Sequence, residues 1–234
     1  MENVKRHFEE EAEEFDGIII RLIPHYSEII NGLVEAIPFG KDVPIKVIDL
    51  GCGTGTISKK VKDAFPNAII TCLDIAPNMI EVTKEKMSRY QNIHYQVGDF
   101  LSYEFGGNYD VVVSSLALHH LPTDNDKQTF YQKIFNSLHP GGLFFNADIV
   151  LGSNELFQEM YMNKWKSFMR KNVTEEEIEN KWMHVYRTED SPSRLSDQLK
   201  WLENIGFCEV DVLWKYYNFA LYGGFKPKAN NENM

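Results

Sequence analysis

The residues with the clearest chemical signature lie in the segment 47–55, which reads VIDLGCGTG. A compact β-branched run leads into three alternating glycines, and helical spacing of apolar residues begins at Thr56. Glycine lets the backbone turn sharply and lets a ligand approach without interference from a Cβ atom. Open α/β sheets bind ligands at turns of this kind, where parallel strands end. The segment therefore predicts a ligand-binding loop between a buried strand and a helix.

Three kinds of ligand compete for this loop. A phosphate-binding P-loop requires the pattern GxxxxGK[ST], which the sequence lacks. A dinucleotide site requires GxGxxG, but the position of its last glycine is Thr56, and the third glycine is Gly55. The third candidate is S-adenosylmethionine. This ligand has no pyrophosphate that would have to bind at a helix N-terminus, and Asp49 stands directly before the loop. The order of the residues that follow favours this third ligand.

Further polar residues follow the next strands of the pattern. The second apolar strand ends at Asp74, whose carboxylate can accept hydrogen bonds from both hydroxyls of a ribose. The third strand leads to Asp99 and Phe100, an acid that can bind an adenine amino group beside a ring that can cover the base. The fourth strand presents Ser115 near the same crevice. These side chains should meet at one edge of a sheet.

The elements that must position these residues alternate between strand and helix. Buried strands over 45–50, 68–73, 93–97, 109–114 and 143–150 alternate with helical segments, which is typical of βαβ units. Two late strands over 207–214 and 218–225 indicate an antiparallel hairpin. The sequence predicts a Rossmann-like α/β fold with a seven-stranded, mostly parallel sheet. The predicted divisions are an N-terminal helical lid (1–40), a ligand-binding domain (41–152 and 193–228) and a helical insertion that caps the substrate (153–192).

The ordered motifs resemble those of class I S-adenosylmethionine-dependent methyltransferases over about residues 40–150. The segment 139–142, HPGG, resembles the LxPGG turn of that family. The resemblance implies S-adenosylmethionine as cofactor and S-adenosylhomocysteine as product. A cofactor-binding protein without turnover is the alternative, because a fold alone does not establish an activity. By this resemblance the glycine loop and Asp49 contact the methionine end, Asp74 the ribose, and Asp99 with Phe100 the adenine. The implied cofactor-binding residues are Tyr26, Asp49, Gly51, Cys52, Gly53, Gly55, Asp74, Ile75, Asp99, Phe100 and Ser115.

A second resemblance, to the carboxy-S-adenosylmethionine synthase group of tRNA wobble-uridine modification, extends over nearly the whole chain. The segment 21–27, RLIPHYS, is similar to that group's RSIPGYS, whose tyrosine corresponds to Tyr26 and contacts the cofactor. The group holds the extra carboxylate with an arginine, where this chain has Trp201, and Ser115 stands where the group has a cofactor-binding asparagine. Both departures favour ordinary methyl transfer over carboxylated-cofactor synthesis.

Methyl transfer from a sulfonium requires alignment and exclusion of water more than a strong catalytic group. No residue is therefore assigned as catalytic, and His119, in the pair that follows the fourth strand, is a weak candidate for a base. His119 and His120, together with Asp124, could suggest a metal site. The two histidines do not have the i, i+4 spacing of such a site, so no metal is predicted. Cys52 is interpreted as a small buried spacer.

Charge and composition limit the kinds of partner that the sequence predicts. The formal net charge is −10, which disfavours direct nucleic-acid binding. No apolar run is long enough to cross a bilayer, so no membrane partner is expected. The three cysteines form no CxxC pair, which suggests a reducing cytoplasm. An aromatic stripe at 157, 161, 165 and 168 is interpreted as core or homodimer packing. The predicted substrate is a small-molecule methyl acceptor.

Overall fold

The computed structural model describes residues 5–6, 8–9 and 12–229. Residues 1–4, 7, 10 and 11 of the predicted N-terminal lid lie outside the described residues, as does the segment 230–234. The strands, in chain order, are β1 Lys46–Leu50, β2 Ile69–Asp74, β3 Ile93–Val97, β4 Tyr109–Ser115, β5 Leu138–Ile149, β6 Cys208–Tyr216 and β7 Phe219–Phe225.

These strands form one seven-stranded sheet in the order β3-β2-β1-β4-β5-β7-β6. The strands from β3 to β5 pair in parallel, and β7 pairs antiparallel with both β5 and β6. The predicted Rossmann-like α/β fold with an antiparallel C-terminal hairpin is confirmed. Strands β1 and β4 lie in the middle, buried on both faces, so their carboxyl ends open into the centre of the molecule.

Helices cover both faces of the sheet. They are α1 Phe15–Leu22, α2 Tyr26–Glu35, α3 Thr56–Ala64, α4 Pro77–Lys86, α5 Asp124–Ser137, α6 Glu155–Met169, α7 Glu175–Glu177, α8 Met183–Glu189 and α9 Leu195–Ile205. A 3-10 turn spans Leu118–His120, and a π-helical turn, Ile178–Trp182, joins α7 to α8. Helices α2 and α3 pack on one face of the sheet, and α5 and α9 on the other. None of the described helices is long and apolar enough to span a bilayer.

Two local features differ from the sequence-based expectation. Strand β5 begins at Leu138, five residues early, because Leu138 pairs with Tyr109 before a register shift at the HPGG turn. The helical insertion is interrupted after Met169, because the Thr174 side chain accepts a hydrogen bond from the Glu177 amide and starts a new helix. That capping box fixes where the second half of the insertion begins.

The insertion packs on the N-terminal helices and forms a cap over one end of the sheet. Trp165 of α6 is buried, and its Nε1–H donates to the Leu22 carbonyl at the end of α1, at 2.8 Å. Ile19, Met169 and Ile178 join the same apolar cluster. Helices α1 and α6 to α8 thus meet above the carboxyl ends of β4 and β5. The predicted division of the chain into lid, sheet domain and insertion stays a prediction.

Candidate active site

The glycine loop folds as the sequence predicts, directly after β1. The amides of Gly51 and Cys52 both donate to the Leu73 carbonyl of β2, at 2.8 and 3.0 Å. Gly51 has a φ of +68°, and a Cβ atom there would lie 2.3 Å from the Ala117 Cβ. Glycine is therefore required at this position both for its backbone conformation and for the close approach of the 3-10 turn.

Gly55 serves packing within the loop. Its φ is +78°, and an added Cβ would lie 2.8 Å from Thr83 Cγ2. The Thr83 hydroxyl donates to the Gly53 carbonyl at 2.7 Å. Helix α4 thereby holds the loop from behind. Gly55 does not line the crevice in front of the loop, so its predicted contact with the cofactor stays a prediction.

Asp74, at the end of β2, orders the loop from the other side. Its Oδ2 accepts a hydrogen bond from the Gly53 amide and its Oδ1 accepts one from the Ala76 amide, each at 2.9 Å. Burial raises the pKa of Asp74 to about 6, although both amide donors oppose the shift. The carboxylate lines the crevice, where it is placed to accept further donors.

Asp49 lies deeper in the molecule. Its Oδ2 accepts hydrogen bonds from the amide and the hydroxyl of Ser58, at 3.1 and 2.7 Å. Its Oδ1 is buried and has no hydrogen-bond partner among the described residues. Burial raises the pKa of Asp49 to about 7, against the two Ser58 donors. Asp49 is absent from the crevice wall, so it braces helix α3 beneath the loop.

A crevice opens in front of the glycine loop. Eight of the predicted binding residues line it: Tyr26, Gly51, Cys52, Gly53, Asp74, Ile75, Phe100 and Ser115. The remaining lining residues are Phe8, Phe15, Thr54, Thr56, Ile57, Met79, Leu116, Ala117 and His120. None of these lining residues is an arginine or a lysine. We call this space the cofactor crevice.

Asp99 does not reach the cofactor crevice. Its Oδ1 accepts a hydrogen bond from the Leu101 amide at 2.9 Å, which turns the carboxylate toward its own loop. Phe100, the next residue, lines the crevice, and its ring packs 5.2 Å from that of Phe130. The structure thus brings Phe100 to the wall and holds Asp99 behind it. Their predicted adenine contacts stay predictions.

Helix α1 is tied to the glycine loop by polar contacts. The Thr54 hydroxyl donates to Asp16 Oδ1, and Lys86 Nζ donates to Asp16 Oδ2, each at 2.5 Å. Asp16 is about half exposed, so its ion pair with Lys86 contributes only modestly to stability. The contacts nevertheless place Phe15, the preceding residue, against the cofactor crevice.

A second cavity lies under the cap, and its lining is almost entirely apolar. The lining residues are Phe8, Phe15, Ile18, Ile19, Leu22, Ile23, Leu116, His119, His120, Ile149, Trp165, Met169, Trp182, Val185, Tyr186, Asp190 and Phe219. Phe8, Phe15, Leu116 and His120 line the cofactor crevice as well. We call this space the cap cavity. The two spaces are therefore adjacent and share a wall.

The polar residues of the cap cavity are clustered at its base. His119 Nδ1 lies 2.6 Å from Asp148 Oδ1, and its amide donates to Asp148 Oδ2 at 3.1 Å. Asp190 Oδ1 lies 3.4 Å from both His119 Nε2 and His120 Nδ1. His120 Nδ1 is also 3.3 Å from the Glu189 carbonyl. His120 Nε2 is buried without a hydrogen-bond partner among the described residues.

The two histidines have opposite electrostatic environments. Burial disfavours the charged form of His119, but the carboxylates of Asp148 and Asp190 outweigh it and raise the pKa of His119 to about 10. Burial and the neighbouring charge of His119 lower the pKa of His120 to about 4. The positively charged form is therefore favoured for His119, which lies between two carboxylates. The neutral form is favoured for His120, which borders both cavities.

Sequence reasoning singled out His119 but not the residues that complete this cluster. His120 is the histidine on the shared wall, whereas His119 lines only the cap cavity. Asp148 lies near the end of β5, and its only sequence signal is an acid inside an otherwise buried strand. Asp190 comes from the insertion, seventy-one positions after His119, and no local pattern links them. Asp124, which the sequence placed near the pair, instead accepts a hydrogen bond from Ser193.

A family model described as a methyltransferase domain matches residues 47–142, the segment that builds the glycine loop and the central strands. A solved complex of the Haloferax volcanii Trm112 methyltransferase activator with its putative methyltransferase has the same fold. Its TM-score is 0.68 and its identity 16%, with 94% of this chain and 97% of that chain covered. The protein is thus an enzyme with a methyltransferase domain, and its cofactor is S-adenosylmethionine.

Two groups of enzymes are among the relatives of this chain. A carboxy-S-adenosyl-L-methionine synthase of Trichodesmium erythraeum is 28% identical over 219 residues, covering 91% of this chain and 85% of that protein. A malonyl-[acyl-carrier protein] O-methyltransferase of Halalkalibacterium halodurans is 29% identical over 167 residues, covering 67% of this chain and 60% of that protein. The resemblance to the synthase group that the sequence indicated is confirmed.

The two positions at which the chain departs from the synthase pattern lie in different surroundings. Trp201 is on α9 and packs against the apolar cluster between that helix and the sheet, away from the cofactor crevice. Ser115 lies on the crevice wall. Arg194, the nearest arginine in sequence, is exposed at the N-terminus of α9. The crevice wall as described thus offers no guanidinium to an additional carboxylate.

Proposed function

We propose that the protein transfers a methyl group from S-adenosylmethionine to a small, largely apolar molecule held in the cap cavity. The observation that carries the proposal is the shared wall: Phe15, Leu116 and His120 border both spaces. A methyl donor in one cavity and an acceptor in the other would meet at that wall. The eight predicted binding residues on the crevice wall support the placement of the donor.

The lining of the cap cavity supports a particular class of acceptor. Aromatic and aliphatic side chains such as Trp165, Met169 and Phe219 favour an apolar body. The polar groups stand together at the base, where His120 Nε2 is a buried atom that lacks a partner. A hydroxyl, amine or thiol on the acceptor would satisfy it, because buried polar groups are nearly always hydrogen-bonded.

The reaction is an in-line displacement. The acceptor atom forms a bond to the methyl carbon, the bond from carbon to sulfur breaks, and its electron pair returns to sulfur. The proton of the acceptor is finally released to the solvent outside the cavity. The protein holds the three atoms in line and keeps bulk water from the reacting centre. The apolar cap serves this exclusion, and His120 orients the acceptor.

Carboxy-S-adenosylmethionine synthesis is the second candidate, favoured by the similarity to synthases over nine-tenths of the chain. The absence of arginine and lysine from the described crevice wall disfavours it, because an added carboxylate would lack a charged partner. Mass spectrometry of the small molecule released by denaturing the purified protein distinguishes the two. S-adenosylmethionine or S-adenosylhomocysteine supports methyl transfer, and a species heavier by one carboxyl group supports the synthase.

The acceptor class is tested by turnover. The purified protein is incubated with S-adenosylmethionine and with phenols, aromatic carboxylates, arylamines and thiols, and S-adenosylhomocysteine is quantified. We expect product with at least one apolar acceptor and none with hydrophilic acceptors of similar size. A structure with bound cofactor in which the insertion lies far from the sulfonium would contradict the small-molecule acceptor.

A further inference from the structure

The cluster at the base of the cap cavity has more donor atoms than a simple ion pair uses. His119, His120 and Asp190 each offer one ligand atom, and these atoms all lie within 4.8 Å of one another. His119 Nδ1 lies 2.6 Å from Asp148 Oδ1, so this nitrogen of the His119 ring has a partner outside the three residues. The Nε2 atom of that ring faces Asp190 Oδ1, and His120 Nδ1 faces both Asp190 Oδ1 and the Glu189 carbonyl.

The spacing of these atoms fits a metal ion better than hydrogen bonds. Asp190 Oδ1 lies 3.4 Å from both His119 Nε2 and His120 Nδ1. Charged hydrogen bonds are shorter, about 2.7–2.9 Å. Ligands bonded to one ion at about 2.0–2.2 Å lie about 3.0–3.5 Å from each other, which matches the distance from Asp190 Oδ1 to each of the two histidine nitrogens.

The surroundings have the features of a supported metal site. A metal-ligating histidine usually donates its other ring N–H to a carboxylate, which fixes the ring and its tautomer. Asp148 does this for His119 Nδ1, and it also accepts the His119 amide, so Nε2 is directed toward Asp190. The Ser191 amide donates to the His119 carbonyl at 2.9 Å, which holds the Asp190 segment against the 3-10 turn.

We propose that His119, His120 and Asp190 bind one divalent first-row transition-metal ion at the base of the cap cavity. Two imidazoles and one carboxylate suit ions such as Mn²⁺, Fe²⁺, Co²⁺ and Zn²⁺, and they leave coordination positions open. All three residues line the cap cavity, so the open positions face the space for the acceptor. Asp148 is a positioning residue that acts through His119.

The consequence for the acceptor rests on the proposed function. An oxygen, nitrogen or sulfur atom of the acceptor would coordinate the ion, which lowers the pKa of that atom and fixes its direction. The substrate class narrows accordingly to apolar molecules with a terminal metal-binding group. Binding of the ion itself requires no acceptor and no turnover, so it is tested separately.

The test is a titration of the full-length protein with cobalt(II) chloride at neutral pH, followed by visible absorption. The Cys208→Ser background removes an exposed thiol that would bind cobalt elsewhere. We expect one saturable equivalent with the intense visible band of a low-coordinate site. Asp190→Asn and His119→Gln should abolish that band. Asp148→Asn should weaken cobalt binding about tenfold to a hundredfold while the band persists.

His184→Gln is the matched control, because His184 lies exposed on the same segment as Asp190 and should leave cobalt binding unchanged. Thermal unfolding and S-adenosylmethionine binding show that each variant is folded. Anomalous scattering at the cobalt edge, from crystals of the unsubstituted protein, locates the ion without any variant. Failure of the protein to bind cobalt stoichiometrically, or an ion located elsewhere, would overturn the proposal.

The outcomes for the ion and for the proposed function are distinguishable. Methyl transfer that persists unchanged after chelation, with no cobalt bound, rejects the ion and leaves methyl transfer intact. A bound cobalt ion at the three residues without any methyl transfer supports the ion and rejects the proposed function.

Discussion

The cofactor crevice and the cap cavity share a wall but are built in different ways. The crevice is formed mainly by turns that follow successive strands of one sheet, so each turn lies close in sequence to the strand that positions it. The cap cavity is assembled from α1, the 3-10 turn, the end of β5 and the insertion, which are far apart in sequence. The crevice thus depends on residues that are close in sequence, whereas the cap cavity depends on the tertiary packing of distant segments. Variants should therefore affect them separately.

The largest expected effect is that of Gly51→Ala. A non-glycine residue in the left-handed region costs about 1–2 kcal/mol, and an overpacked site adds about 1–3 kcal/mol. The Cβ would lie 2.3 Å from that of Ala117. We expect a loss of about 2–5 kcal/mol in the free energy of unfolding, measured by denaturant titration.

Gly53→Ala is the matched control for that change. Its φ is +52°, but an added Cβ would meet only Phe15 Cε1 at 3.9 Å. It should lose only the backbone cost of about 1–2 kcal/mol. Equal losses for the two variants would show that the close approach of the 3-10 turn does not matter.

Asp74→Ala should weaken S-adenosylmethionine binding by about one to three orders of magnitude, measured by calorimetry. The carboxylate accepts the amides of Gly53 and Ala76, and it is the predicted acceptor for the ribose hydroxyls, so its loss leaves buried donors unpaired. Asp99→Ala should have a smaller effect, because Asp99 does not line the crevice. Unchanged affinity in Asp74→Ala would show that the ribose lies elsewhere.

Val185→Trp should affect the cap cavity alone. Val185 lies on α8 and lines that cavity but not the crevice, so a larger side chain there would occupy acceptor space. We expect kcat/KM for an acceptor to fall at least about tenfold, a size typical of contacts in apolar pockets. The dissociation constant of S-adenosylmethionine should stay within about twofold. A matching loss of cofactor affinity would contradict the separation of the two cavities.

The affinity for S-adenosylmethionine should depend on pH through Asp74. Burial raises the pKa of this carboxyl to about 6, and the ionised form is the better acceptor for ribose hydroxyls. The cofactor therefore favours the ionised form, so affinity is highest above pH 6 and falls as the carboxyl gains a proton. Between about pH 7 and about pH 5 we expect a decrease of about tenfold. Asp74→Asn should be weaker throughout and should lose this pH dependence.

The smallest effect is expected for Cys52→Ser. Cys52 is buried in the loop, and burial raises the pKa of its thiol well above the ordinary value, so it is not a ready nucleophile. Turnover and cofactor affinity should each change less than about threefold, since the substitution keeps the size of the side chain. A loss of turnover with normal cofactor binding would assign Cys52 a chemical role.

The same contrast explains what the sequence could predict. The alternation of strands and helices, the glycine loop and Asp74 are local patterns, and each occupies its expected place in the fold. The positions of Asp49 and Asp99 were less predictable, because Ser58 and the Leu101 amide compete for their carboxylates. The cap cavity could not be predicted, because Trp165 and Asp190 reach it only after α6 to α8 pack on α1.

The anchoring of helix α1 has a kinetic consequence. Phe15 forms part of both cavities, and its neighbour Asp16 fastens the helix to Thr54 of the glycine loop and to Lys86 of α4. Release of these contacts would free the wall that Phe15 contributes to both spaces. Under the proposed function, the spent cofactor and the methylated product would both depend on that release to depart, so the lifetime of the closed helix would set an upper limit on the rate of successive turnovers.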